Sequence, residues 1–195
     1  MAQRVKKNIP LNDTTKILKL VYEEHIGSLY SYGCKFTTNK ELVKDCIHDV
    51  FVRLYEKANI DSVQNMRFYL LRSLKNRLID ELSKVHLFTI SEELPFTIPH
   101  QLSVEQSFVE NEGDEHIKNM VTKALDMLTN RQREAVYLYY IEELDYDSIC
   151  KLMNMNYQSV RNLIHRSITR LREHFDKKEL ALILSYCQIG IVVLI

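Results

Sequence analysis

The chain has 195 residues, 46% hydrophobic and 27% charged, with 26 basic residues balancing 26 acidic ones. That size and apolar content can bury a core, more naturally as two small domains than as one. With only four glycines and three prolines, the chain has little material for the tight turns of a β fold, so an all-α fold is expected.

The zero net charge conceals a strong pattern. Met1 to Lys84 carries 15 basic and 10 acidic residues, Val85 to Ile117 carries none and 7, and Lys118 to Ile195 carries 11 and 9. Two basic blocks are therefore joined by an acidic one. Cys34, Cys46, Cys150 and Cys187 show no metal-ligand spacing and read as reduced core residues of a cytoplasmic protein. Met1 to Asn12 is charged and has no apolar run of signal-peptide length. There is no glycine-rich phosphate loop, HExxH or nucleophile motif, and the seven histidines are scattered. An enzyme is therefore not expected, nor a metal, a cofactor or a small-molecule substrate.

Along the chain, Asp13 to Tyr32 predicts a helix with a broad apolar face made by Ile17, Leu20, Val21, Tyr22, Ile26, Leu29 and Tyr30. Glu41 to Lys57 predicts a second, with Leu42, Cys46, Ile47, Val50, Phe51 and Leu54 as its stripe. Its polar rim is Asp45, His48, Asp49 and Arg53, and the plainest use of such a rim is solvation. In Phe68 to Lys84, aromatic and basic residues interleave: Phe68, Tyr69, Arg72, Lys75, Asn76, Arg77, Asp80 and Lys84 surround a stripe of Leu71, Leu74, Leu78 and Leu82. Aromatic stacking is worth about 1 to 3 kcal/mol per unpaired base, with nearby cations holding the backbone, so this face suits single-stranded nucleic acid. A charged helix exterior is the other reading.

Val85 to Ile117 contains Pro95, Pro99, Gly113 and no basic residue, and is expected to be an extended or partly disordered linker. Lys118 to Leu128 then opens a second domain. Thr129-Asn130-Arg131-Gln132 matches a capping box, starting a helix that turns Ala135, Val136, Tyr139 and Tyr140 inward. From Asp145 to Arg172 the pattern is sharpest. Tyr146, Ile149, Leu152 and Met153 mark a short helix, and Asn154-Met155-Asn156 a tight turn. Val160, Leu163, Ile164, Ser167, Ile168 and Leu171 then mark one buried face of a second helix. Asn154 suits the left-handed residue of the turn, and Asn156 the cap that follows. The outer face carries Gln158, Arg161, Asn162, His165, Arg166, Thr169 and Arg170, with four arginines and no acid between Tyr157 and Arg172. This is a helix-turn-helix pattern, whose second helix meets base edges. Leu180 to Ile195 has no charged residue. It is short of the about 20 apolar residues that a membrane span needs, so a helix packed on the protein's own domains is preferred to a span.

Leu128 to Val136, Leu144 to Ile149 and Asn156 to Arg172 together resemble the C-terminal DNA-binding domain of bacterial sigma factors. Ser159-Val160-Arg161, His165-Arg166 and Leu171-Arg172 stand at the recognition-helix positions. In the N-terminal half, Leu42 to Phe51 resembles the polymerase-binding helix, and Tyr69 to Arg72 with Asn76 to Asp80 resembles the promoter-melting helix. Two such motif sets, in this order and with no extra domain, resemble the small extracytoplasmic-function (ECF) group.

The resemblance implies two small helical domains: 13–84 for polymerase binding and the −10 element, and 118–175 for the −35 element, joined by the acidic linker 85–117 and followed by the tail 176–195. It implies that Asp45, His48, Asp49 and Arg53 contact core RNA polymerase, and that Phe68, Tyr69, Arg72, Lys75, Asn76, Arg77, Asp80 and Lys84 bind and melt the −10 promoter DNA, with the loop Ala58 to Met66 reading a flipped base. Gln158, Ser159, Arg161, Asn162, His165, Arg166, Arg170 and Arg172 would contact the −35 element. The implied partners are core RNA polymerase, promoter DNA and an anti-sigma factor, through which alone the membrane would be reached. Thr129, Asn154, His48 and Tyr55 depart from the family's common proline, glycine, glutamine and tryptophan without removing the pattern. A helix-turn-helix regulator that does not join polymerase is the alternative, and it leaves Glu41 to Lys84 unexplained.

Overall fold

The structure, a computed structural model, describes residues 11–56, 63–84, 95–97 and 112–192. Residues 58–62 of the expected base-reading loop Ala58 to Met66, most of the linker and the last three residues lie outside them. Among the described residues eight helices follow one another: α1 Leu11–Gly33, α2 Lys40–Glu56, α3 Met66–Lys84, α4 Glu112–Asp126, α5 Asn130–Tyr140, α6 Tyr146–Met153, α7 Tyr157–Arg172 and α8 Lys177–Val192. Among the described residues there is no strand.

The first three helices form a bundle because each carries one apolar stripe at helical spacing. Val43, Cys46, Ile47, Val50, Phe51 and Leu54 of α2 meet Leu70, Leu71, Leu74, Leu78 and Leu82 of α3. Leu29, Tyr32 and Phe36 close the third side, all nearly solvent-free. Each buried leucine contributes about 1.5 to 3 kcal/mol of transfer free energy, so α3 alone supplies a large share of this core. Asn39 caps α2 by accepting the Leu42 N–H at 3.1 Å, and Asn65 caps α3 by accepting the Phe68 N–H at 2.9 Å. Gly33 ends α1 hard against α2. A Cβ there would stand 2.5 Å from Val43 Cγ1, tighter than packed atoms tolerate.

In the second group, α5 to α7 pack on each other with α4 and α8 alongside. The capping box forms as expected: Gln132 N–H donates to Thr129 Oγ1 at 3.4 Å, and Thr129 N–H to Gln132 Oε1 at 3.0 Å. Three features depart from the sequence reading. Residues 112–117, expected in the linker, are the first turns of α4; Glu112, Asp114 and Glu115 favour a helix N-terminus through its dipole. The linker is also anchored in its middle, because Phe96 is only 1% exposed and packs against Tyr32, Phe36 and Tyr137 at ring separations of 6.1, 5.3 and 5.7 Å. Finally, α5 is buried on more than one side: Glu134, Tyr137 and Leu138 join Ala135 and Val136 inside, while Tyr139 and Tyr140 are half-buried.

The extra burial of α5 has a plain cause: it faces the first bundle as well as its own. Helix α8 packs on α4, α1 and α7, with Leu180 and Ile183 inside. Among the described residues no helix is long and apolar enough to cross a membrane.

Candidate nucleic-acid and polymerase interfaces

The helix-turn-helix is set by its caps. Asp145 Oδ1 accepts the Ser148 N–H at 2.8 Å and starts α6; its hydrogen bonds to Ser148 hold its carboxyl below the ordinary aspartate value. Asn154 ends α6 in the left-handed region, at φ 53° and ψ 49°, where asparagine pays less than other L-residues. Asn156 Oδ1 then accepts the Ser159 N–H at 2.8 Å and starts α7. With Val160, Ile164, Ser167, Ile168 and Leu171 buried, the opposite face is fixed by geometry. Gln158, Arg161, Asn162, His165, Arg166, Arg170 and Arg172 are exposed on it, and Ser159 is half-buried at its edge. Gln158 donates to Asn162 Oδ1 at 3.0 Å, one turn along, so these two amides present a joint polar edge.

Sequence reasoning passed over an aromatic at this end. Tyr157, the first residue of α7, is 51% exposed and rests on Tyr146 at 5.3 Å, which rests on Tyr139 at 5.1 Å. This braced aromatic stands at the N-terminus of the helix that follows the turn. The signal available in the sequence was the recurrence of Tyr139, Tyr140, Tyr146 and Tyr157 at the ends of three successive helices.

The interleaved face of α3 divides into three. Arg72, Asn76, Asp80 and Lys84 fall at i, i+4, i+8 and i+12 and form one exposed row. Phe68 and Tyr69 stand half-buried at its start, with the Arg72 guanidinium 5.8 Å from the Phe68 ring centre. Arg77 points to α2, donating to Asp49 Oδ2 at 2.7 Å and pairing with Glu81. Lys75 points to α5, its Nζ 2.7 Å from Glu134 Oε1 with both side chains about nine-tenths covered. The residues thus brought together as a surface are Arg72, Asn76, Asp80 and Lys84, with Lys75 and Arg77 turned aside.

On α2, Asp45, His48 and Arg53 are exposed and Asp49 is half-buried against Arg77. Val52 and Tyr55, 41% and 44% exposed, continue the Asp45–His48 row along the helix. The helical period turns Tyr55, which stands where the family commonly has tryptophan, outward. An apolar pair beside a mixed-charge rim is the composition of a protein contact rather than of a solvated face. Burial pushes the Cys46 thiol up to about 11 and raises Cys34 and Cys150. Among the described residues no His, Cys, Asp and Glu cluster could hold a metal ion.

Two family profiles match the chain in this order: "Sigma-70 region 2" over residues 21–86 and "Sigma-70, region 4" over residues 118–171. The two profiles together cover more than half of the chain, which belongs to the sigma-70 family and resembles its ECF group. It is 24% identical over 159 residues to the "ECF RNA polymerase sigma factor SigM" of Bacillus subtilis (strain 168), an alignment covering 80% of this chain and 94% of that protein. The fold is similar to that of the sigma factor RpoE from Bartonella quintana, solved in complex with the anti-sigma factor NepR. The TM-score is 0.52 at 19% identity, covering 84% of this chain and 96% of that one. Region 2 thus spans α1 to α3, and region 4 runs from α4 through almost all of α7.

Proposed function

We propose that this ECF sigma factor binds core RNA polymerase through the outer face of α2 and directs transcription initiation by reading a bipartite promoter with α3 and α7. Asp45, His48 and Arg53, with Val52 and Tyr55 beside them, supply the polymerase contact; Asp49 acts there by orienting Arg77. The row Arg72, Asn76, Asp80 and Lys84, with Phe68 and Tyr69 at its start, holds the opened strand at the −10 element. Stacking on these aromatics tolerates any base, while the cations follow the backbone.

At the −35 element, Gln158, Arg161, Asn162 and His165 meet base edges, a good bidentate pair being worth about 1 to 3 kcal/mol of discrimination. Arg166, Arg170 and Arg172 hold phosphates and add affinity without sequence information. The protein works in the cytoplasm, and its partners are core polymerase, promoter DNA and an anti-sigma factor. The polymerase and DNA carry the chemistry, so the chain needs no catalytic residue or cofactor.

The observation that carries this reading is the pairing, in one chain, of a capped helix-turn-helix bearing an acid-free basic face with a separate three-helix bundle whose exposed row mixes aromatics and cations. Run-off transcription with purified core polymerase on a pool of random promoters tests it, at a fixed salt concentration because phosphate contacts are strongly salt-dependent. The expected result is protein-dependent enrichment of a two-part site of fixed spacing. Transcripts that do not depend on the protein would overturn the reading.

A further inference from the structure

Helices α4 to α7 keep their large apolar side chains buried or half-buried, with one exception among the described residues. Tyr157 is 51% exposed. It is the first residue of α7, directly after the Asn156 cap. Arg161 follows one turn on, so the two side chains project from the same side of the helix.

The exposed ring is held from behind. Tyr157 packs on Tyr146 at 5.3 Å, Tyr146 on Tyr139 at 5.1 Å and Tyr139 on Tyr140 at 4.9 Å. Interplanar angles of 49°, 38° and 84° make these tilted and edge-to-face contacts, the arrangements that aromatic quadrupoles favour. Tyr139 and Tyr140 come from α5, Tyr146 from α6 and Tyr157 from α7, and the three inner rings are half-buried. The ladder therefore ties three helices together and leaves only its last ring open. A tyrosine has two side-chain torsions, and a brace restrains them before a partner arrives, so little freedom is lost on contact.

The surroundings select the partner. Arg161, Arg166, Arg170 and Arg172 are exposed and no acid lies between Tyr157 and Arg172, so charge complementarity points to nucleic acid. In a major groove, thymine is the base that offers an apolar group, its C5-methyl. Beside the ring, Gln158 donates to Asn162 Oδ1 at 3.0 Å, which sets two side-chain amides together. Amides of this kind suit adenine N6 and N7. The N-terminal end of α7 thus matches an A·T pair in its polar groups and in its apolar one.

We propose that Tyr157 is a specificity-determining residue that packs its ring on the C5-methyl of a thymine in the upstream (−35) element, with Tyr146 and Tyr139 as positioning residues behind it. The proposal rests on the sigma reading above and adds to it a contact that no hydrogen bond reports. The amides and Arg161 read donors and acceptors; Tyr157 reads a methyl group.

The test uses holoenzyme reconstituted from core polymerase and the full chain, with a duplex carrying the upstream element selected from the random pool. Each thymine on either strand is replaced in turn by uracil, which keeps the base pair and lacks the methyl. Competition binding is measured at one fixed salt concentration. The wild type should lose about fourfold in affinity at one position, the worth of burying a single methyl group. In Tyr157→Ala the same replacement should cause no further loss. Tyr157→Phe should keep the loss, because the ring and not the hydroxyl makes the contact. Tyr146→Leu, which removes the brace, should reduce it. Circular dichroism verifies that each variant retains its helices.

A uracil penalty equal in the wild type and Tyr157→Ala would overturn the proposal. So would the absence of a penalty at every thymine, or a selected upstream element with no A·T pair. Loss of the penalty in Tyr157→Phe would overturn it as well, by placing the hydroxyl on a phosphate. An undiminished penalty in Tyr146→Leu would remove the positioning role of the ladder. Failure of the holoenzyme to select any two-part promoter would refute the sigma reading itself, an outcome distinct from selection of a promoter indifferent to its thymine methyls.

Discussion

Phe96→Ala is the substitution whose cost can be assigned most sharply. The ring is 1% exposed and lies outside all eight helices, yet three aromatic neighbours surround it, two from region 2 and one from region 4. Truncating a buried phenylalanine costs about 3 to 5 kcal/mol when the site cannot collapse. Each aromatic pair adds about 0.5 to 1.5 kcal/mol beyond area burial. Against a total stability of about 5 to 15 kcal/mol for a domain, such a loss is large. Because Phe96 belongs to neither helical group, the loss should fall on their coupling rather than on either core. The expected calorimetric result is a single transition in the wild type that separates into two in Phe96→Ala, with the higher one little shifted. The backbone tie from Thr97 to Lys35 survives the substitution, so the linker stays near and the effect reports the ring. A change below about 0.5 kcal/mol with one transition retained would refute the reasoning, since it would mean the ring contributes nothing that water does not replace.

Three further outcomes follow from the site. Arg161→Ala should weaken binding to a selected −35 sequence by about 1 to 3 kcal/mol and relax preference at one base pair. Arg170→Ala should weaken all duplexes alike and lower the salt slope by about 1; equal behaviour of the two variants in a salt titration would count against the base and phosphate assignment. Asn154→Ala should cost about 1 to 2 kcal/mol of stability in urea, because its backbone stands in the left-handed region, while Asn154→Gly should cost far less; a glycine variant as damaged as the alanine one would refute the turn argument. Burial depresses His25, with Arg67 acting in the same direction and Glu24 and Glu142 opposing. The folded form then binds its proton less readily than the unfolded chain, so stability should be complete above about pH 6.5 and fall as the pH drops below that. In thermal melts, a His25→Gln variant that keeps the same fall between pH 6.5 and 5 would show that another group is responsible.

Most of the secondary structure was legible because it rests on local rules. The stripes of α2 and α3, the Thr129 box, the Asn154 turn and the Asn156 cap each involve residues within a few positions of one another. The outer face of α7 was legible for the same reason: once its buried positions are fixed, a helix has only one opposite side. The partners of Lys75 could not be read this way. Its carboxylate lies 59 residues downstream, and in sequence Glu134 looks like any acid in the first turns of a solvated helix. Tyr137 and Glu142 were missed on the same ground, since a polar residue after an apolar run is read as exposed unless a distant partner is known. Phe96 was missed because the segment around it has the composition of a disordered linker, and one aromatic among prolines and acids gives no period to detect.

The balance of 26 acids against 26 bases gains a meaning from these pairs. A sigma factor must present cations to DNA, and a neutral total by itself offers none in excess. On α3 the acids are close at hand: Glu134 holds Lys75, Asp49 and Glu81 hold Arg77, and Glu81 also holds Lys84 at 2.9 Å. On α7 no acid interrupts the helix, and Arg161, Arg166, Arg170 and Arg172 stand exposed. The two helices proposed to face the promoter therefore differ in what binding costs them. For α7, each phosphate contact mainly displaces condensed counterions, a favourable exchange at low salt. For α3, phosphate must compete with carboxylates already in place, and a largely covered pair such as Lys75–Glu134 leaves an unpaired charge if only one partner moves. Binding of duplex alone should accordingly run through α7.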